Sequence, residues 1–251
     1  MVKNIKNFVD KLQPKDIVEQ TINGHLIKFG ILHPRLRYYA MLFPEKEVLQ
    51  FIDSLTTNDI LVDLGAAEGR FALYAAKKGL KVWALEPDYH NFSALITNRD
   101  LNKLNNLNCL QSAIGKNDEI GELRSGQPFP GGHQKVVMSA TSRQDLQFQF
   151  LERQQIKILT YNSFCNQNNL LPTALKIDID GSELDFFLGK PNLASVKHLM
   201  IELCETDINY SKIVEYLIGD GFQLKSKHRI PDERHLYNCW YIRLNNIKIE
   251  N

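Results

Sequence analysis

A short glycine-containing loop holds the first residues that could bind a ligand. The candidates are Asp63, near the end of the apolar run Ile60–Leu64, and Gly65, Ala66 and Gly69, which follow that run. The small residues of this loop let a ligand approach the backbone. A dinucleotide site would have the G-x-G-x-x-G spacing, and a carboxylate at this strand end would repel its pyrophosphate. Asp63 instead suits a ligand that carries an ammonium and a sulfonium group. Alone, the loop could equally be a tight turn between a strand and a helix.

Two further loops extend this candidate site to a nucleoside. Glu86 and Pro87 end the next strand-like run, roughly 20 residues on, where a carboxylate can accept hydrogen bonds from ribose hydroxyls. Asp88 can cap the following helix, which leaves Glu86 available. Ser112 and Ala113 follow the third strand, and an adenine ring could lie against them. All three loops are expected at the carboxyl edge of one parallel sheet, where such sheets bind ligands.

An acidic block further along the chain is the candidate catalytic centre. Asp178, Asp180 and Glu183 lie within nine residues that begin at Leu175, and Glu202 ends the neighbouring strand. One interpretation is a base that takes a proton from an attacking hydroxyl. Another is a divalent cation held by carboxylates. A third is that Ser182, Glu183 and Asp185 simply stabilise the start of a helix.

His133 and a basic C-terminal segment are weaker candidates. His133 follows two glycines, and could be a base that reaches over the substrate or an exposed loop residue. The histidines show no spacing typical of a zinc site. The basic segment could attract an anionic substrate or be a solvated strand end, and it consists of Lys225, Lys227, His228, Arg229 and Arg234.

Alternating strands and helices must position these residues. From residue 60 the pattern is strand, helix, strand, helix, strand, and it resumes at residue 174, which predicts an α/β fold with a parallel sheet. The last two strands have no helix between them and should be antiparallel. Residues 126–132 are predicted to be a loop, residues 135–140 an edge strand, and residues 141–155 a helix or a mobile flap.

The domain boundary is predicted near residue 45. Residues 1–44 form an N-terminal extension that could be a lid or a dimer element, with a hairpin over 21–32, and residues 45–251 form the main domain. The chain could therefore be a homodimer.

Composition narrows the class of protein. Lysine and arginine number 30 against 29 aspartates and glutamates, so no overall basic charge indicates a nucleic-acid partner. The four cysteines show no CxxC pair, which favours reduced thiols and a cytoplasmic location. No signal peptide or membrane-spanning segment is evident, so no membrane insertion is expected.

Three motifs together resemble the FkbM family of class I methyltransferases. They are Val62–Phe71, Trp83–Pro87 and Leu175–Glu183, which resemble the family's D-x-G-A-N-x-G loop, A-x-E-P strand end and L-K-I-D-x-E-G-x-E block. The resemblance covers about residues 60–204. It implies a Rossmann-like class I methyltransferase fold, with a seven-stranded, mostly parallel sheet, an antiparallel last strand and helices on both faces.

The resemblance also implies S-adenosylmethionine as the cofactor. By position, the first motif would line its methionine part, Glu86 would hold its ribose, and Asp178 would lie near its methyl group. The sequence departs from the family pattern at three places. Ala67 replaces a frequent asparagine, Asp180 a usual glutamate, and Asn162 a usual aspartate, and the last change suggests an altered substrate or metal arrangement.

The expected activity is O-methylation of a sugar, a glycan precursor or a sugar-containing natural product. The substrate would be a small molecule or saccharide, and a divalent metal is left open. One alternative is a nucleic-acid methyltransferase, but the motif that usually accompanies adenine methylation is replaced here by Asp178–Gly181. Another is a non-catalytic subunit with the same fold, against which the intact cofactor loop argues.

Overall fold

The computed structural model describes residues 14, 16–41, 45–138, 149–230 and 235–243. Several predictions fall partly outside these ranges, namely the ends of two strands at residues 139–140 and 244, most of the 141–155 segment, and Arg234.

The described strands and helices alternate as predicted over most of the main domain. The strands are β1 (Ile17–Ile22), β2 (His25–Gly30), β3 (Ile60–Leu64), β4 (Lys81–Leu85), β5 (Leu107–Leu110), β6 (Ala113–Ile114), β7 (Glu119–Ser125), β8 (Lys135–Val137), β9 (Glu152–Leu159), β10 (Ala174–Ile177), β11 (His198–Cys204), β12 (Phe222–Arg229) and β13 (Leu236–Arg243). The helices are α1 (Pro34–Met41), α2 (Lys46–Asp53), α3 (Arg70–Lys77), α4 (Tyr89–Leu101), α5 (Tyr161–Gln167), α6 (Glu183–Leu188) and α7 (Tyr210–Gly219).

A seven-stranded sheet in the described residues forms the centre of the molecule, in the order β12-β13-β11-β10-β3-β4-β5. Strands β5, β4, β3, β10 and β11 pair in parallel, while β13 pairs antiparallel with both β11 and β12. This order confirms the predicted fold class, including the inserted antiparallel last strand. The order reverses between β3 and β10, and a ligand cleft is expected at that point in an open α/β sheet.

Burial explains why these runs form a sheet. All four residues of β10 are buried, and β3 is buried from Leu61 to Leu64, as expected for central parallel strands covered on both faces. On one face, residues of α2, α3 and α4 form one apolar core, in which Phe51 and Leu73 are fully buried. On the other face, α5, α6 and α7 supply Phe164, Phe186 and Leu217 to a second core.

The N-terminal hairpin packs directly on the main domain. β1 and β2 are joined at Asn23 and Gly24, whose φ angles are 45° and 84°, and Asn-Gly suits such a turn. The N–H of Gly30 donates to Oδ1 of Asn98 at 2.8 Å, and that of Lys28 donates to Oδ1 of Asn102 at 2.9 Å. The predicted hairpin is confirmed. Two buried asparagines, one within α4 and one at its C-cap, therefore fix β2 against the domain.

A four-stranded sheet in the order β6-β9-β7-β8 was not predicted. Residues 152–155 were expected to belong to a helix or flap, but they begin β9, which pairs antiparallel with β7 along its length. We call these four strands the accessory sheet. It lies beside the carboxyl end of β5, because β6 follows that strand after only two residues.

Candidate active site

A cavity opens where the carboxyl ends of β3, β4, β5 and β10 meet the accessory sheet. It encloses about 790 Å³ of space free of protein atoms, part of it open to solvent. The predicted site residues that line it are Gly65, Glu86, Pro87, Ser112, Ala113, His133, Asp178 and Asp180. Asp63, Ala66, Gly69, Glu183 and Glu202 do not line it.

The loop after β3 is shaped by close backbone contacts. Gly65 has a φ of 77°, and a Cβ on it would lie 1.7 Å from the carbonyl oxygen of Asp178. Gly69 has a φ of 94°, and its Cβ would lie 2.5 Å from Cδ1 of Leu95. Only glycine satisfies both demands. The backbone of the loop therefore packs closely against the carboxyl end of β10, and the other side of the loop stays open to a ligand.

Glu86 joins the β3 and β4 loops. Its Oε2 accepts a hydrogen bond from the N–H of Ala67 at 2.9 Å, and its Oε1 accepts one from the N–H of Asp88 at 2.9 Å. Burial raises the pKa of Glu86 to about 8, although the nearby ammonium of Lys135 opposes this shift. Each carboxylate oxygen has a further lone pair, so the group can still accept from a ligand hydroxyl.

Asp63 lies behind the loop rather than in the cavity. Only 1% of its surface is exposed, and Nζ of Lys176 lies 3.3 Å from its Oδ1 and 3.1 Å from Oδ2 of Asp178. Burial raises the pKa of Asp63 against the effect of Lys176. Burial alone would lower the pKa of Lys176, but Asp178 and Asp63 outweigh it and raise that pKa. The Lys176 ammonium therefore lies between the carboxylates of Asp63 and Asp178.

The carboxylates beside Asp178 form a cluster, but their placements differ. Glu183 is buried and its Oε1 accepts from the N–H groups of Ile179 at 3.3 Å and Gly181 at 3.2 Å, which stabilises the turn before α6. Burial raises the pKa of Glu183 to about 7. Burial, followed by the charges of Asp178 and Asp180, also raises the pKa of Glu202.

Glu45 belongs to the same cluster, and the sequence alone did not identify it as a site residue. Its pKa is raised by burial and then by Asp178, and its Oε2 accepts from Nδ2 of Asn238 at 3.0 Å. The same Nδ2 donates to Oε1 of Glu47 at 2.9 Å. Asn238 comes from β13, almost 200 residues away in sequence, so no local pattern predicts this contact. We call Glu45, Asp178, Asp180, Glu183 and Glu202 the acidic cluster.

A buried ion pair connects the accessory sheet to the start of α4, beside the cavity. Nζ of Lys135 lies 2.6 Å from Oδ1 of Asp88, with side chains only 7% and 0% exposed, and Nε2 of Gln154 donates to Oδ2 of Asp88 at 2.7 Å. Asp88 also caps α4 as predicted, because its Oδ1 accepts from the N–H of Asn91. Lys135 lines the cavity, and its place in an apolar edge strand gave no sign of this role.

The glycine-rich loop over 126–134 covers part of the cavity, as a functional loop would. Asn91 holds it, since its Oδ1 accepts from the N–H of Gly131 at 2.8 Å. The Phe129 ring stacks on His33 with centroids 4.3 Å apart, which connects the loop to the N-terminal extension. Gly132 and His133 line the cavity. His133 therefore lies at the site, although at an exposed position.

Neither a metal centre nor a membrane-spanning helix is found in the described part of the chain. There, no group of three or more histidine, cysteine, aspartate or glutamate side chains is arranged to hold a metal ion. Among the same residues, the helices are too short or too polar to cross a bilayer.

The family of this chain follows from its match to a known domain. Residues 63–224 match the Methyltransferase FkbM domain, which is well over half of the chain. The chain belongs to the FkbM methyltransferase family. It is therefore an S-adenosylmethionine-dependent methyltransferase, as the three motifs indicated. A search of curated proteins finds no match for the sequence.

Several solved structures are similar to this FkbM methyltransferase. The tRNA m1G37 methyltransferase of M. jannaschii matches with a TM-score of 0.50 at 13% identity, over 91% of this chain and 57% of that one. This chain thus spans little more than half the length of that enzyme. An rRNA methylase from Streptococcus thermophilus matches with a TM-score of 0.48 at 11% identity, over 82% of this chain and 99% of that one. TYW2 of M. jannaschii, solved with AdoMet, matches with a TM-score of 0.42 at 15% identity, over 91% of this chain and 87% of that one.

Proposed function

We propose that this enzyme methylates a hydroxyl group of a sugar, a glycan precursor or a sugar-containing natural product, with Asp178 as the base. The observation that carries the proposal is the position of Asp178. It lines the cavity, its side chain is 29% exposed, and it borders the acidic cluster. A carboxylate there can both orient an acceptor hydroxyl and remove its proton.

The cavity residues fit the methyl donor. The tight Gly65 turn leaves room for a ligand against the backbone, Glu86 keeps lone pairs for ribose hydroxyls, and Ser112 and Ala113 line an end suited to adenine. When bound, S-adenosylmethionine supplies an activated methyl group on a sulfonium. We assign Gly65, Glu86 and the 112–113 segment to holding it. Asp63, Ala66 and Gly69 support these residues from behind the cavity.

Lys176 prepares Asp178 for its role. Its ammonium bridges Asp63 and Asp178, and only 4% of the residue is exposed, so it has little freedom to move. The bridge holds the Asp178 carboxylate in one orientation. Such orientation of the base and the acceptor accounts for much of the rate in a displacement whose donor is already activated.

Charge at the acceptor side favours an uncharged polyol over a polyanion. The acidic cluster adjoins the cavity, and carboxylates are good acceptors for hydroxyl groups but repel phosphates. Two basic residues of β12 already have other contacts, since Lys227 pairs with Glu205 and Lys225 lies over the Trp240 ring. The tRNA and rRNA enzymes of similar fold make a nucleic acid the alternative acceptor to test.

The test is methyl transfer from labelled S-adenosylmethionine to two pools of acceptors, fractionated polar metabolites and glycans on one side and total RNA on the other. We expect label in a neutral, sugar-containing fraction, and its loss in the Asp178→Asn variant. Glu119→Gln, an exposed change on β7, is the control and should retain transfer. Label that enters only RNA, or no fraction at all, would overturn the proposed acceptor class.

A further inference from the structure

The hydroxyl of Ser182 has no role in holding the fold together. The residue is 4% exposed and lines the cavity, and its Oγ has no hydrogen-bond partner among the described residues. It stands at the N-cap position of α6, yet it makes no capping bond, and the turn is stabilised by the Glu183 carboxylate instead. Burying an unpaired hydroxyl costs free energy, so its presence needs another explanation.

Ser182 lines the same cavity as the segment that follows β5. The C-terminal end of helix α6 lies beside this segment, because a Cβ on Gly189 would lie 2.8 Å from the carbonyl oxygen of Gly115. Ala113 and Ile114 line the same cavity, together with Leu123 of the accessory sheet. This end of the cavity is therefore apolar, as a flat aromatic ring requires.

Ser182 also differs from the other buried serine at this end. The Oγ of Ser112 donates to the carbonyl oxygen of Lys157 at 3.1 Å and lies 2.9 Å from that of Ala113, so its hydrogen-bonding capacity is used inside the protein. Ser182 keeps its proton for a ligand. An adenine ring between apolar walls offers three ring nitrogens as acceptors, and its orientation needs at least one polar contact.

We propose that the Ser182 hydroxyl donates a hydrogen bond to a ring nitrogen of the donor's adenine and thereby fixes the orientation of the ring. This inference rests on the donor site proposed above. It assigns to Ser182 a binding role that its place in the Leu175–Glu183 motif, next to the catalytic candidates, would not indicate.

The test measures binding, by titration calorimetry on the full chain with S-adenosylhomocysteine as the probe. We expect Ser182→Ala to weaken affinity about 5- to 15-fold, as loss of one neutral hydrogen bond implies. The 1-, 3- and 7-deaza analogues identify the bond. The analogue that lacks the contacted nitrogen should bind the native chain more weakly, yet bind Ser182→Ala as well as the parent compound does.

A capping hydroxyl elsewhere supplies the control. Thr160→Ala removes the hydroxyl that caps α5 by accepting from the N–H of Ser163, so it should lower the melting temperature and leave affinity unchanged. Ser182→Ala should instead weaken affinity and leave the melting temperature unchanged. Unchanged affinity in Ser182→Ala, or weaker affinity without coupling to any deaza analogue, would overturn the Ser182 assignment alone. If the native chain binds no S-adenosylhomocysteine, the donor site itself is wrong and this inference falls with it.

Discussion

The two sides of the cavity are built by different means. The donor side is defined by backbone, since Gly65 leaves no space for a side chain and Glu86 is held by two N–H groups. The acceptor side is defined by carboxylates, and burial, followed by the charges of Asp178 and Asp180, raises the pKa of Glu202. The donor side should therefore tolerate little change without loss of folding. Substitutions on the acceptor side should reduce turnover before they reduce stability.

The largest effect is expected for Gly65→Ala. The new methyl group would overlap the carbonyl of Asp178, and the φ of 77° would be strained, so the β3 loop must shift. We expect a loss of more than about 4 kcal/mol in the free energy of unfolding, measured by urea denaturation. Gly24→Ala is the matched control, because its φ is 84° but no atom lies within 4 Å of its Cβ. It should cost only about 1 kcal/mol. Equal costs would show that the close contact is unimportant.

The Lys135→Met substitution is expected to have the next largest effect. It leaves Asp88 buried without its ammonium partner, and breaking such a pair costs about 3–5 kcal/mol. Urea denaturation is measured on the Lys135→Met variant and on the double variant Lys135→Met/Asp88→Asn. The comparison separates the cost of the unpaired charge from the cost of lost packing. Asparagine can still cap α4, so the double variant should recover much of the loss. A double variant less stable than the single one would contradict the unpaired-charge explanation.

Asp178→Asn tests the acceptor side. The side chain keeps its size but can no longer take a proton, so kcat should fall about 10²–10⁴-fold while the Kd for S-adenosylmethionine changes little. Steady-state rates and titration calorimetry check the two halves of this expectation. Asp180→Asn, which alters another carboxylate of the cavity, should cost less. If Asp180→Asn removes activity and Asp178→Asn does not, Asp180 is the base.

The smallest effect concerns the pH dependence of stability. The pKa of Glu86 rises from its ordinary 4.5 to about 8 on folding, so the folded protein binds the extra proton between these values. Stability from this group is complete below pH 4.5 and is lost as pH rises through 8. Glu86→Gln should flatten this decline in pH-dependent urea denaturation. Glu119→Gln should follow the native profile, and a Glu86→Gln profile parallel to the native one would refute the assignment.

The central sheet could be predicted from the sequence because its signals are local. Each strand of β3, β4 and β10 is a short apolar run with a turn at its end, and the chain direction follows from the helices between them. The loop after β3 and Glu86 were recognised for the same reason. Asp63 was expected to face the ligand, but a strand end does not reveal whether its side chain points into the cleft or towards Lys176.

The accessory sheet and its contacts could not be predicted because they are made between distant segments. β6 pairs with β9 across more than forty residues, and β9 is polar enough to resemble a surface segment. Lys135 and Glu45 acquire their roles only through Asp88, Asn238 and the folded sheet. Ser182 was expected to start a helix by its residue type, and only the absence of a capping bond among the described residues separates it from an ordinary N-cap.

The position of β13 has a consequence for how the chain is made. This strand is synthesised after β12, yet in the sheet it lies between β11 and β12, which meet only through it in the described structure. A ribosome that has completed residue 229 has therefore made β12 before its partner exists. Until residues 236–243 emerge, β11 has an open edge beside the acidic cluster, so the acceptor side of the site is completed only after β13 has been made, whereas the strands beneath the donor loops are already paired.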